Sequence, residues 1–128
     1  MEAFGGLDVL LFMARASAPP LRSLDLDAWE DSVDVNVKGF LYSLAAALPV
    51  MLERRGGRVL LFASDDPEEP DPLYVASQAA TDVILGELNT EFSAAGVRAE
   101  RVRAQGSERA NPEACAEKIR DLLTRPPD

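Results

Sequence analysis

The sequence predicts an α/β protein built on a small parallel β-sheet. Strand-like apolar runs alternate with helix-like segments, and this alternation occurs three times in 128 residues. Continuous apolar runs are typical of parallel strands buried on both faces, and apolar residues recurring every three or four positions are typical of amphipathic helices. The strand–helix order predicts parallel strands joined by right-handed crossovers. A chain of this length is expected to form one domain.

Three segments are predicted to be strands: Leu7–Ala14 (LDVLLFMA), Arg58–Ser64 (RVLLFAS) and Val97–Ala104 (VRAERVRA). The first two are nearly continuous apolar runs, so we expect them to be buried on both faces. The third is less apolar because it carries three arginines, Arg98, Arg101 and Arg103.

A long amphipathic helix is predicted between the first two strands. Asp27, with Glu30 three residues later, has the pattern of a capping box. The helix is expected to run for about seven turns, to bend at Pro49 and to stop at the pair Gly56–Gly57. Its apolar stripe comprises Trp29, Val33, Val37, Phe40, Leu44, Leu48 and Met51.

Two further helices are predicted. One begins at Leu73 and ends at Gly96. The other is capped by Asn111 and has Pro112 at its first position. The apolar face of the first of these helices comprises Ala76, Ala80, Val83, Ile84, Leu88 and Phe92.

An acidic loop precedes the helix that begins at Leu73. Its carboxylates could ligate a hard cation through oxygen atoms. Their spacing, broken by two prolines, matches no EF-hand, so a solvated loop without a metal site is predicted. The acidic residues are Asp65, Asp66, Glu68, Glu69 and Asp71.

Composition excludes several classes of function. The formal net charge is −9, which disfavours nucleic acid and anionic membrane surfaces as partners. The chain has no His and one Cys, Cys115, so it cannot build a Ser-His-Asp triad, a Cys/His zinc site or an internal disulfide. No uninterrupted apolar run reaches the roughly 18 residues of a membrane span. A soluble, cytoplasmic protein is predicted.

From about Phe4 to Gly106 the sequence resembles the C-terminal half of a short-chain dehydrogenase/reductase. GGLDVLLFMA is similar to the family's central strand, YVASQAA to its catalytic helix and GVRAERVRAQG to the strand that follows. The segment from Asp27 to Ser64 is similar to the family's long interface helix and to the strand that carries its catalytic Ser. The resemblance implies a truncated Rossmann-like, three-layer fold with a parallel sheet of about three strands.

The resemblance also implies a set of site residues. Asn36, in VNVKG, falls on the family's structural and catalytic Asn, Ser64 on its catalytic Ser and Tyr74 on its catalytic Tyr. The interval from Ser64 to Tyr74 is shorter than is usual in the family. Gln78 stands where the family has Lys. Structural roles are the favoured interpretation for three of these residues: Asn36 as a buried amide, Ser64 at a strand end and Tyr74 as a packed ring.

The departures from the family predict that the chain uses no NAD(P) cofactor. An ammonium beside a phenol favours the phenolate, and the uncharged amide of Gln78 cannot do so. FMAR (Phe12–Arg15) replaces the family's Asn-Asn-Ala-Gly turn, and Ala104–Gln105 replaces its Pro-Gly. The family's Gly-rich turn, which binds the cofactor pyrophosphate, belongs to an N-terminal half that this sequence is expected to lack.

Three functions remain open from the sequence. The first is a homodimeric, non-redox protein that binds a small molecule or acts as a scaffold. The second is a cofactor-free isomerase, dehydratase or cyclase that polarises a carbonyl through Tyr74, Ser64 and Asn36. The third is one half of a split NAD(P)-dependent oxidoreductase. A deep apolar pocket beside Tyr74 and Ser64 would favour the second, and a filled site would favour the first.

Assembly into a homodimer or larger homo-oligomer is predicted. The resemblance implies an interface formed by the helices around Phe40–Leu52 and Val75–Phe92. The outer edge of the first strand offers a second surface, since an apolar strand edge left uncovered is prone to pairing. Asp at Leu44 or Val83 should therefore break a helical interface, and Asp at Val9 should break an edge-paired one.

Overall fold

The computed structural model describes residues 5–64, 71–104 and 111–125. Within them, strands β1 (Val9–Phe12), β2 (Gly57–Ser64) and β3 (Val97–Ala104) form one sheet in the order β1-β2-β3. Both strand pairs are parallel. The predicted α/β class with a short parallel sheet is confirmed.

Strand β1 is shorter and more exposed than the sequence predicts. It spans four residues instead of the eight of Leu7–Ala14, and Leu11 is 36% exposed. Its register runs from Val9 opposite Arg58 to Phe12 opposite Leu61. Burial on both faces was the wrong expectation, since Leu10 and Phe12 pack against the core while Leu11, on the opposite face, is exposed.

The long helix is divided by a π-helical segment. Helix α1 (Leu26–Val33) continues through the π segment Asp34–Lys38 into helix α2 (Gly39–Arg54). Pro49, where a bend was predicted, lies inside α2. The hydrogen-bonding pattern of the long helix changes instead at the π segment. Such a segment widens one turn and is often found at functional sites.

The structure corrects both predicted ends of this helix. Asp25, not Asp27, is the N-cap, because its side chain accepts hydrogen bonds from the backbone N–H groups of Asp27 and Ala28. The helix ends at Arg54, and its C-cap is Arg55, which adopts the left-handed conformation (φ 56°, ψ 41°) directly before the predicted glycine pair. The N–H of Arg55 bonds to the carbonyl of Leu52, which closes the last turn.

Helix α3 (Pro72–Phe92) and helix α4 (Pro112–Thr124) complete the order of elements. Asn111 caps α4 as predicted, and Gly96, with φ 89°, ends the short 3-10 turn that follows α3. The predicted apolar face of α3 was partly wrong, since Ala76, Ala80 and Val83 are exposed. The buried residues of α3 are Tyr74, Ser77, Gln78, Thr81, Leu85 and Leu88.

Helices α2 and α3 pack on one face of the sheet, as right-handed crossovers require for consecutive strands. The core between them includes Phe40, Leu44, Met51, Val59, Leu61, Leu85, Leu88, Val97 and Ala99. On the other face, Arg58 bonds to the carbonyl of Leu122 in α4 and pairs with Glu100 at 2.8 Å. The molecule therefore has helices on both sides of the sheet.

The continuous helix Leu26–Arg54 spans 29 residues and is long and apolar enough to cross a membrane by length and composition. This was not expected from the length of uninterrupted apolar runs. Phe40, Leu44 and Met51 of this helix are buried against the sheet, while Leu41 and Tyr42 are exposed.

Candidate functional site

A small cleft opens near the carboxyl ends of the strands, where the sequence placed its candidate residues. Its internal volume is about 10 Å³, which is room for about one water molecule. Phe12 and Leu61 form part of the apolar wall. The polar wall comprises Asn36, Tyr74, Ser77, Gln78, Thr81 and Arg101. Three of the four predicted site residues thus share one cleft.

Asn36 fixes the loop that follows β1. It lies in the π segment and is buried. Its Oδ1 accepts the N–H of Ala16 and its Nδ2 donates to the carbonyl of the same residue, both at 2.9 Å. Nδ2 also donates to Ser32 Oγ at 2.9 Å. A buried amide bonded in this way positions the loop and keeps its own polar atoms satisfied.

Tyr74 is buried in the first turns of α3, and Arg15 stacks on it. The guanidinium carbon of Arg15 lies 3.6 Å from the centroid of the Tyr74 ring, which is a cation–π geometry. Asp71 ties the two elements together: its Oδ1 accepts the N–H of Tyr74 at 3.0 Å and its Oδ2 accepts the N–H of Ala18 at 3.3 Å. Asp71 Oδ2 also lies 3.6 Å from Arg15 Nη2.

Replacing Asp71 with Ala should destabilise the protein, since the buried carboxylate caps α3 and accepts two backbone N–H groups. Loss of an N-cap alone costs about 0.5–2 kcal/mol, and the unsatisfied N–H of Ala18 adds to that cost. Asp71→Asn is the matched control because Asn also caps helices. The free energy of unfolding, measured by chemical denaturation, should be highest for wild type, intermediate for Asp71→Asn and lowest for Asp71→Ala. Equal values for wild type and Asp71→Ala would contradict this role.

Gln78 is 6% exposed and is engaged by arginines from β3. Its Oε1 accepts from Arg103 Nη1 at 3.3 Å, and its backbone carbonyl accepts from Arg101 Nη2 at 3.0 Å. Arg101 also bonds to Thr81 Oγ1 and pairs with Asp82 at 2.7 Å. The turn of α3 that carries Gln78 is therefore bound to β3 through guanidinium groups.

The position of Ser64 relative to Tyr74 stays a prediction. The backbone of Ser64 ends β2 opposite Ala104, but its side chain lies outside the described residues. Gln105 and most of the acidic loop, residues 65–70, also lie outside them. The expectation of a solvated acidic loop is therefore neither supported nor contradicted.

The contacts of Arg15 and Asp71 were missed by sequence reasoning. Asp71 precedes Pro72 at the start of a helix, which is a recognisable capping signal. Arg15 was noted in FMAR as the loss of a family turn, while its contact with Tyr74 joins residues 59 positions apart. Local patterns do not reveal such contacts.

Comparison with known proteins identifies the family. The model of the family described as short chain dehydrogenase matches residues 1–110. The chain belongs to this family. An uncharacterised oxidoreductase of Staphylococcus aureus (strain MW2) is 35% identical over 101 residues, covering 76% of this chain and 44% of the relative. One from Staphylococcus saprophyticus is 38% identical over 101 residues, covering 76% and 43%. The chain thus spans less than half the length of these relatives.

Solved structures of short-chain dehydrogenases share the fold. Serine dehydrogenase from Escherichia coli matches with a TM-score of 0.84 and 24% identity, over 98% of this chain and 61% of that one. A metagenomic short-chain oxidoreductase in complex with NADP matches with a TM-score of 0.80 and 23% identity, over 98% and 58%. At these identities the likeness shows the fold alone.

The described residues fit poorly around the nicotinamide cofactor that the family resemblance implies. Gln78 offers an uncharged amide where that resemblance implies a Lys ammonium, and its Oε1 is bonded to Arg103. Arg15 covers the Tyr74 ring.

Proposed function

We propose that this chain is a non-redox member of the short-chain dehydrogenase family that binds a small molecule at the cleft beside Tyr74. The observation that carries the proposal is the buried amide of Gln78, which occupies the position of the family's Lys and is bonded to Arg103. Gln78 supplies no positive charge of its own beside Tyr74, whose hydroxyl can still donate a hydrogen bond.

The small cleft among the described residues gives no support to a cofactor-free enzyme. A deep apolar pocket would favour a cofactor-free isomerase, dehydratase or cyclase, whereas this cleft has room for about one water. A larger ligand must therefore displace side chains that line the cleft.

This chain is expected to bind NAD, NADH, NADP and NADPH with dissociation constants no tighter than about 1 mM, which corresponds to roughly 4 kcal/mol of binding free energy. The reason is that Arg15 covers the Tyr74 ring and Gln78 carries no charge. Calorimetric titration with each of the four forms measures this. A micromolar dissociation constant for any of them would overturn the non-redox proposal.

Gln78→Lys is expected not to create reductase activity. The new ammonium would lie beside the guanidinium of Arg103, which now bonds to Gln78, and like charges repel at that distance. Gln78→Met, which removes the contact without adding charge, is the control for lost packing. NADPH oxidation with small ketones and aldehydes is the measurement, and turnover by Gln78→Lys above that of Gln78→Met would show that the site retains redox competence.

A second candidate function is one part of a larger NAD(P)-dependent oxidoreductase. One support is that the match to the Staphylococcus aureus (strain MW2) relative covers 44% of that relative's length. A second support is that β1 lies at the edge of the described sheet, with Leu11 and Met13 exposed. Pull-down with the tagged chain tests it. A partner that carries a Gly-rich phosphate-binding turn, together with micromolar NADPH binding by the complex alone, would favour this function.

We further propose that the protein is a soluble, cytoplasmic homodimer joined through α2 and α3. The two helices lie on the same face of the sheet, and each has large apolar side chains that the described chain leaves exposed. On α2 these are Leu41 and Tyr42, and on α3 they are Val75 and Val83. A two-fold axis would pair these surfaces with themselves.

A further inference from the structure

We infer that the surface around the start of α1 binds a cationic, apolar segment of another protein. This surface, the α1 patch, consists of four large apolar side chains that are 42% to 67% exposed: Leu21, Leu24, Leu26 and Trp29. Large exposed apolar surfaces with a polar rim are typical of protein interaction sites. None of the four residues lines the cleft beside Tyr74, so binding at the α1 patch goes beyond the proposed small-molecule site and does not depend on it.

The positions of the four side chains place them on one surface. Leu21 and Leu24 are three residues apart around the 3-10 turn before α1, and side chains at this spacing are eclipsed in such a turn. Leu24 directly precedes the N-cap Asp25, and Trp29 is the fourth residue of α1. Apolar residues at these two positions commonly pack together across a helix start. Leu26 lies three residues before Trp29 on the same helix, so these two side chains are also neighbours.

The rim of the α1 patch is acidic. Four exposed carboxylates lie between or beside its apolar residues in the sequence, and none of them forms an ion pair in the part of the chain that the structure describes: Asp25, Asp27, Glu30 and Asp31. The one basic residue of the segment is Arg22. Four negative charges and one positive charge leave residues 21–31 with a formal charge of −3.

This charge selects the occupant of the α1 patch. Anionic membrane surfaces and nucleic acid are repelled by it. A second copy of the chain on a two-fold axis would bring the same four carboxylates against their own equivalents, in a molecule whose net charge is already −9. A protein segment that carries Leu-like side chains together with Lys or Arg complements both the apolar surface and its rim. The apolar contact supplies affinity, and the charges disfavour other partners.

Trp29 is the only Trp of the chain, so its fluorescence reports directly on the α1 patch. The probe is a short amphipathic helical peptide of Leu and Lys. Titration with this peptide should shift the emission of Trp29 to shorter wavelength, because the indole loses contact with water. The equivalent peptide of Leu and Glu, and vesicles of phosphatidylglycerol, should leave the emission unchanged. Added salt should weaken the binding of the Leu/Lys peptide because it screens exposed charges.

Leu24→Ser should weaken binding of the Leu/Lys peptide by about ten-fold, since it removes an apolar side chain that the peptide would bury. Leu123→Ser is the matched control: it makes the same change at an exposed leucine of α4, outside the α1 patch, and should leave the affinity unchanged. Glu30→Gln combined with Asp31→Asn keeps the apolar surface and should weaken binding by about two-fold and lower its dependence on salt. Circular dichroism checks that each variant is folded.

The assignment is overturned if the Leu/Lys peptide leaves the emission unchanged or if the Leu/Glu peptide shifts it equally. It is also overturned if Leu24→Ser weakens binding no more than Leu123→Ser does, or if the paired Glu30 and Asp31 substitutions leave the salt dependence unchanged. A shift that appears when the concentration of the protein alone is raised would assign the α1 patch to a second copy of the chain. A shift caused by the vesicles would assign it to a membrane, and either result overturns the inferred partner.

Discussion

Val83→Asp is expected to convert the proposed dimer into monomers of 13.8 kDa. Val83 is 68% exposed on α3, and Tyr42 is 73% exposed on α2, which packs on the same face of the sheet. A two-fold axis would bury both copies of the new carboxylate in one apolar interface, and burying an unpaired charge is costly. Because Val83 is not part of the core, the monomer should stay folded. Light scattering at micromolar concentration measures the mass, and circular dichroism checks the fold.

Val9→Asp is the control for the alternative interface at the edge of β1. If assembly uses that edge, Val9→Asp should lower the mass and Val83→Asp should not. A wild-type monomer that is stable at micromolar concentration would contradict the dimer altogether. Leu44, which the sequence also suggested for this test, is unsuitable because it is 6% exposed and belongs to the core. Asp at that position would unfold the chain and would report nothing about assembly.

The parts of the fold that follow local rules were predictable from the sequence. Strands β2 and β3 lie where their residue patterns placed them, and α4 begins at its Asn–Pro cap. Helix ends were less predictable because several residues compete for each cap. Asp25 precedes Asp27 and takes the role of N-cap. Arg55 adopts a left-handed conformation that is more usual for glycine, before the glycine pair that was expected to end the helix.

Helix faces were harder to predict than helix positions. On α3, small and polar residues such as Ser77, Gln78 and Thr81 are buried, while Val83 is exposed. The periodicity of apolar residues marks one face when a helix meets only a core. Here α3 meets the core on one side and carries apolar residues on another, which we propose as the subunit interface. Because α3 has apolar residues on two faces, the periodicity of its apolar residues does not identify the buried face.

The sequence could predict which residues form the candidate site, but not the contacts that surround them. Asn36, Tyr74 and Gln78 were placed together through the family resemblance, and they line one cleft. What surrounds them could not be predicted, since the contacts of Arg15 with Tyr74 and of Arg103 with Gln78 connect elements far apart in sequence. The sequence shows that Arg15 and Arg103 are present. It does not show which groups their side chains contact, and for Arg103 this depends on the register of β3.

Phe40→Ala is expected to be the most destabilising of the substitutions considered, at a cost of about 3–5 kcal/mol. Phe40 is 0% exposed at the centre of the core, and its ring lies 5.5 Å from that of Phe12 with an interplanar angle of 57°. The loss would be a large share of a domain's total stability of roughly 5–15 kcal/mol. Chemical denaturation at one fixed protein concentration measures it, since the stability of a dimer depends on concentration.

The neighbouring substitution Leu41→Ala provides the matched control, because Leu41 is the next residue of α2 and is exposed. It should weaken the proposed dimer while leaving a folded monomer. Phe12 also lines the cleft, so Phe40→Ala should also leave the Phe12 ring less constrained there. If Phe40→Ala lowers the free energy of unfolding no more than Leu41→Ala does, the core is not organised around Phe40. In that case the Phe12–Phe40 contact does not support the cleft.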